Sequence, residues 1–147
     1  MTKTAKDFFS KEQKEDIRQA ILNAELDTSG EVRVHIETSF TGDVLDRAAY
    51  IFDKLGMQKT DRRNGVLFYL AISNRRFGVI GDKGINAVVP ENFWDDIKNT
   101  LLNHFREEKF TEGLMEGIAM VGHKLKKHFP HQTGDVNELP DDISFGQ

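Results

Sequence analysis

The sequence predicts an α/β fold, a three-layer α/β/α sandwich around a small mixed central sheet of about four strands. Two observations carry that prediction. Val66-Leu67-Phe68-Tyr69-Leu70-Ala71-Ile72 is an unbroken apolar run, the mark of a central strand covered on both faces, and Ser73-Asn74-Arg75 turns it into a second strand, Arg76–Ile80. Helix-period segments stand before, between and after the strands, so each face of the sheet has helices to cover it.

The first helix spans about residues 10–25. Ser10-Lys11-Glu12-Gln13 is a capping-box pattern, and Ile17, Ala20, Ile21 and Ala24 follow at helical spacing. Asp27-Thr28-Ser29-Gly30 ends it. Glu31 to Thr38 alternates, with Val32, Val34 and Ile36 on one face and Arg33, His35 and Glu37 on the other, which predicts a half-buried or edge strand. Asp43 can cap the next helix, whose stripe includes Ala48, Ile51 and Phe52 and whose C-terminus suits Gly56. A polar, basic loop, Gln58–Arg63, leads into the apolar run.

The three-residue turn permits only an antiparallel hairpin, because a parallel return needs a crossover of about a dozen residues. The strands beginning at Glu31 and Val66 are joined through a helix, which predicts a right-handed parallel crossover if they are neighbours. After Gly81-Asp82-Lys83-Gly84, residues Ile85–Val89 read as a short last strand or an extended loop. Pro90 opens a helix with Phe93, Trp94, Ile97, Leu101 and Phe105 on its buried face. Thr111 caps the last helix, and close packing against the sheet would justify its Gly113, Gly117 and Gly122. One domain over residues 1–129 and a flexible acidic tail over 130–147 follow, with Leu139, Ile143 and Phe145 able to dock the tail.

A chain of 147 residues matches one domain, since domains most often hold about 100–150 residues. Its 38% hydrophobic and 30% charged composition is that of a folded protein rather than a disordered one. The absence of cysteine excludes disulfides, thiolate zinc sites, iron–sulfur clusters and cysteine nucleophiles. A net charge of −4 argues against nucleic acid, whose binding relies on basic surfaces. No apolar stretch reads as a signal peptide or a membrane span, so the expected location is the cytoplasm, with no membrane insertion.

Nucleophile and phosphate-loop motifs are missing: there is no Gly-x-Ser-x-Gly, Gly-x-x-x-x-Gly-Lys or Gly-x-Gly-x-x-Gly. His123, His128 and His131 lack metal-ligand spacing. Carboxylates are more suggestive, because a hard cation wants several oxygens. Asp61 and Asn64 precede the first hairpin strand, Asp82 follows the second, and Glu91, Asp95 and Asp96 come next. The hairpin brings Asn64 and Asp82 to the same end of the sheet. The same residues also read as a turn, a loop cap and helix-dipole partners.

Arg63-Asn64-Gly65-Val66-Leu67-Phe68-Tyr69-Leu70-Ala71, followed by Arg75-Arg76-Phe77-Gly78-Val79-Ile80-Gly81-Asp82-Lys83-Gly84-Ile85, resembles the core of the TPM domain family. The likeness extends to Phe93-Trp94 and to Phe110–Gly117, and so covers most of residues 10–128. It implies an α/β/α sandwich with two loops crossing at one sheet edge, where divalent metals are found in family members. On that basis the expected ligands are Asp82, Asn64 and Asp61, with Asp43 and Glu91 as further candidates from neighbouring loops. Calcium is expected ahead of magnesium. Relatives with a signal peptide and a C-terminal membrane anchor work in envelopes or thylakoids; neither segment is read here.

Two functions from different classes follow. The first is a non-catalytic regulatory or interaction module whose loops are ordered by calcium or magnesium and which presents a surface to a protein partner, the chain itself being monomeric. The alternative is a metal-dependent phosphatase acting on phosphate monoesters, an activity attributed to plant relatives. There Asp82 would hold the metal and Arg62, Arg63 or Lys83 would neutralise substrate charge.

Overall fold

The computed structural model describes residues 4–131 and 143–146. A short helix α1 (Ala5–Phe8) precedes α2 (Lys11–Asp27), β1 (Glu31–Glu37), α3 (Val44–Lys54) and the hairpin β2 (Gly65–Ala71) and β3 (Arg76–Gly81). A single helical turn, α4 (Lys83–Asn86), then leads to α5 (Asp95–Arg106), α6 (Phe110–Leu125) and a two-residue strand β4 (Ser144–Phe145). The four strands form one mixed sheet in the order β3-β2-β1-β4, as expected of an α/β/α sandwich. β1 lies parallel to β2, with Glu31 opposite Gly65 and Glu37 opposite Ala71, and β2 is antiparallel to β3.

Strand alternation sorts the side chains into two cores. Val32, Val34, Ile36, Val66, Phe68 and Leu70 face α2, α5 and α6, where they meet Ile17, Ile21, Leu101, Leu114 and Ile118. Leu67, Tyr69 and Ala71 face the other way and pack with Ala48, Ile51 and Phe52 of α3. Every residue of β2 is buried, which accounts for its unbroken apolar sequence. Each large apolar side chain buried in this way contributes about 1.5–3 kcal/mol.

Local signals set the helix starts. Ser10 and Gln13 form both hydrogen bonds of the capping box, at 3.0 and 2.8 Å. Asp43 Oδ1 accepts the amides of Leu45 and Asp46 and starts α3. Gly56 lies just past α3 with φ of 72°, a conformation glycine adopts without steric cost.

Four local expectations change. Ile85–Val89 is neither strand nor extended loop, because Asp82 caps a helical turn by accepting the Lys83 amide at 2.8 Å. Pro90 lies in a turn and α5 begins only at Asp95, since Phe93 and Trp94 are drawn into the fold ahead of it: Phe93 is buried, and Trp94 packs on Gly81. Thr111 is buried inside α6 rather than capping it. A tight turn at Glu108, with φ of 60°, brings the chain directly from α5 into α6. The α6 glycines admit mainly other helices: a Cβ on Gly113 would lie 2.9 Å from His104 and Phe105, and one on Gly122 2.9 Å from Ala24.

The polar face of β1 is covered as well. His35 and Glu37 retain only 4% and 2% of their exposure, beneath α3 and the C-terminal strand. Of the expected tail, residues 132–142 and 147 lie outside the described residues. Residues 143–146 run beside β1, with Ser144 opposite His35 and Phe145 opposite Ile36. No helix among the described residues is long and apolar enough to cross a membrane.

Candidate functional site: crossing loops at the open end of the hairpin

The loop before β2 and the loop after β3 meet at one end of the sheet because the hairpin strands are of nearly equal length. The Asp82 amide donates to the Gly65 carbonyl at 3.0 Å, and the Gly84 amide donates to the Arg63 carbonyl at 2.9 Å. The backbones touch. A Cβ on Gly84 would stand 2.1 Å from the Arg62 carbonyl oxygen and 2.6 Å from that of Arg63, so only glycine fits the crossing.

Asp82 is the centre of this junction. It is 6% exposed, and Arg63 grips it with two hydrogen bonds, Nε to Oδ2 at 2.7 Å and Nη2 to Oδ1 at 2.9 Å. Oδ1 also accepts the Lys83 amide. This bidentate bond raises the Arg63 pKa beyond its already high ordinary value. Arg63 itself has φ of 50°, a left-handed conformation rarely adopted by a long side chain. Its side chain keeps 35% of its exposure, so solvent reaches the pair from one side. Behind Asp82, Asn86 donates to the Gly81 carbonyl and receives the indole N–H of Trp94 at 3.1 Å, tying the turn before α5 into the same junction.

Asn64 and Asp82 do sit at the same end of the sheet, but Asn64 is scaffolding in this arrangement. Its amide donates to Thr60 Oγ1, its carbonyl accepts from Glu31, and its side chain donates to Ser29. Asp61 is exposed in the loop just ahead of Arg62. Glu91 is exposed in the turn that carries Trp94. Asp43 is at the opposite end: it follows the C-terminus of β1, next to Phe40, which pairs with Asn74 of the hairpin turn. No three His, Asp or Glu side chains gather as a metal-binding group among the described residues.

The donors nevertheless suit a hard cation in kind. Asp82 supplies a carboxylate, and Arg62 and Arg63 bring two carbonyl oxygens against the backbone of Gly84. In this arrangement the Arg63 guanidinium supplies the positive charge beside Asp82.

A second polar cluster was not legible in the sequence. On the α3 face, Glu37 accepts Arg47 Nε and Nη2 at 2.8 and 2.7 Å and the Tyr69 hydroxyl, while His35 stacks beside Tyr69 and joins Ser144 Oγ through Nδ1 at 2.6 Å. Burial raises the Glu37 pKa, and the bonds from Arg47 and Tyr69 overcome that effect, leaving the carboxyl below its ordinary value. Burial lowers the pKa of His35, outweighing Glu37, which raises it. Burial and the bond to Glu37 push the Tyr69 hydroxyl up. The available signal was period two: His35, Glu37 and Tyr69 share a sheet face once β1 and β2 are set in register.

A TPM domain family model matches residues 3–124. The BA42 protein of the psychrophilic bacterium Bizionia argentinensis, solved by NMR, is 43% identical, with 99% of this chain and all of that chain covered at a TM-score of 0.92. The N-terminal domain of a P. gingivalis protein shares 22% identity at a TM-score of 0.68, covering 84% of this chain and 81% of its own. The N-terminal domain of the cg2496 protein from Corynebacterium glutamicum shares 16% at 0.64, covering 95% and 81%. The last two establish likeness of fold alone. No curated protein matches.

Proposed function

The chain belongs to the TPM domain family, and on that premise we propose that it is a divalent-cation-responsive interaction module. Its sensing element is the Arg63–Asp82 pair at the loop crossing, and calcium is the preferred ion over magnesium. The observation that carries this reading is that a nearly buried carboxylate, next to loop carbonyls, is neutralised by an arginine whose side chain stays one-third open to solvent.

Arg63 and a divalent cation compete for the same carboxylate. When Arg63 lets go, Asp82 and the carbonyl oxygens of the pre-β2 loop hold the ion, which supplies fixed positive charge and draws the two loops together. Arg63 then projects from the sheet edge as an unpaired guanidinium, available to a carboxylate on a protein partner. Calcium suits such a site because it tolerates irregular oxygen ligation, whereas magnesium demands near-octahedral geometry and gives up water reluctantly.

Calorimetric titration of metal-free protein is the test. Calcium is expected to bind at one site with the loop amides around Asn64 and Asp82 shifting in NMR spectra, magnesium to bind more weakly, and Asp82→Asn to abolish both. Calcium binding that persists unchanged in Asp82→Asn would place the ion elsewhere and overturn the reading.

A further inference from the structure

The closed end of the β2–β3 hairpin, remote from the loop crossing, carries a cavity of about 300 Å³ between the hairpin turn and the α5–α6 turn. That volume is at the lower end of the range for small-molecule sites. Its wall is aromatic: Phe77 meets Phe105 edge-on with ring centres 5.2 Å apart, and Phe105 meets Phe110 at the same distance. Leu102 lines it as well and keeps 37% of its exposure on an otherwise polar helix surface. Arg75 and Arg106 complete the lining, and both are exposed, which puts their charges at the opening.

The charges around this opening do not cancel. Glu107 pairs with Lys109 at 3.4 Å, and Glu108 pairs with Arg75 at 3.7 Å. Among the described residues, the Arg106 side chain has no hydrogen-bond or ion-pair partner. Among the described residues, one positive charge is therefore left over beside an apolar cavity, in a chain whose net charge is −4. The Arg75–Glu108 pair is also a poor stabiliser, because its side chains are 80% and 71% exposed and such pairs contribute little in water. Yet both residues hold left-handed backbone conformations, with φ of 53° and 60°, at turn positions where glycine or asparagine would be unstrained. Two strained turns thus place opposite charges across one cavity mouth without a return in stability.

From this geometry we propose that the cavity binds a small amphiphilic monocarboxylate. Its apolar body lies among Phe77, Leu102, Phe105 and Phe110, and its carboxylate is held by Arg106 and Arg75. A single negative charge matches the unpaired Arg106 guanidinium, and the planar guanidinium groups match a carboxylate's two oxygens. Glu108 is the ligand's competitor for Arg75.

Decanoate is the probe, titrated into the full-length protein and followed by amide NMR shifts. Shifts confined to the hairpin turn, the end of α5 and the start of α6 are expected. Arg106→Gln weakens binding about tenfold, as loss of a charge-assisted hydrogen bond does. Glu108→Gln strengthens it, because Arg75 is freed. Neither side chain is buried, and the same spectra verify that both variants keep the fold. Three results would overturn the assignment: no shifts at millimolar decanoate, shifts centred elsewhere, or decanol binding as tightly as decanoate with Arg106→Gln having no effect. Loss of decanoate binding leaves the cation titration at the loop crossing untouched, since the two sites occupy opposite ends of the hairpin.

Discussion

Glu37 and His35 lie side by side on β1, buried and facing α3, and their surroundings decide which protonation state each keeps. Arg47 and the Tyr69 hydroxyl hold Glu37 ionised. Glu37→Gln removes one partner of a largely buried ion pair and is expected to lower unfolding free energy by about 2 kcal/mol, measured by urea denaturation. Full loss of a buried partner costs more, but Arg47 is 33% exposed and can turn to water. The pH dependence follows from the two directions of shift. His35 binds its proton more weakly folded than unfolded, so its contribution is complete above about pH 6.5 and is lost as pH falls toward its lowered value. Glu37 is likewise depressed, so its contribution holds above about pH 4.5 and is lost below. Both changes run the same way, against Glu37, Arg33 and Arg47 as the charges facing His35. Urea midpoints should therefore fall in two stages on acidification, and His35→Asn should remove the upper one. A flat profile between about pH 7 and pH 5 would contradict this assignment.

Among the elements, the crossing loops depend on Gly84 more than on any single hydrogen bond. A methyl group there meets backbone oxygen rather than a movable side chain, so Gly84→Ala must part the loops. A loss of about 3 kcal/mol is expected, at the upper end of overpacking effects, with new amide shifts at Arg63 and Asp82. Ser10→Ala removes half of the α2 capping box and should cost about 1 kcal/mol in the same urea assay, with α2 as the region of lost hydrogen-exchange protection. The same contrast runs through what the sequence made legible. Signals confined to a few neighbouring residues, such as the Ser10–Gln13 box, the Asp43 cap and the Ser73–Arg75 turn, could be read directly. Pro90 and Thr111 carry local signals too, but packing of Phe93 and Trp94 on the sheet and the tight turn at Glu108 outweigh them. Asp82 was visible as a candidate ligand, while its grip by Arg63 depends on a left-handed backbone that no residue pattern announces.

The whole molecule places distinct chemistry at the two ends of one hairpin and on the two faces of one sheet. The α2–α5–α6 face is apolar throughout. The α3 face is divided between apolar residues of β2 and the polar cluster of β1, which is why the alternation of β1 predicts a half-buried or edge strand although β1 lies between β2 and β4. The polar side of β1 has a solvated composition, but the described C-terminal residues cover part of it: Ser144 bonds His35, and the Gly146 amide donates to the Ile36 carbonyl at 2.9 Å. That contact joins residues more than a hundred positions apart, and no local pattern encodes it. Removing residues 143–147 should speed hydrogen exchange along β1 near His35 and lower the stability that Glu37 contributes above about pH 4.5, while leaving the loop crossing intact.

The loop crossing carries the functional proposal, and Arg63 gives it a sign. Calcium titration of the wild-type protein beside Arg63→Gly tests it most directly, because glycine removes the competing guanidinium and also relaxes the left-handed backbone at that position. Calcium should bind the variant several-fold more tightly than the wild type. Equal or weaker binding to Arg63→Gly, with its fold intact, would contradict a site in which arginine and cation compete for Asp82.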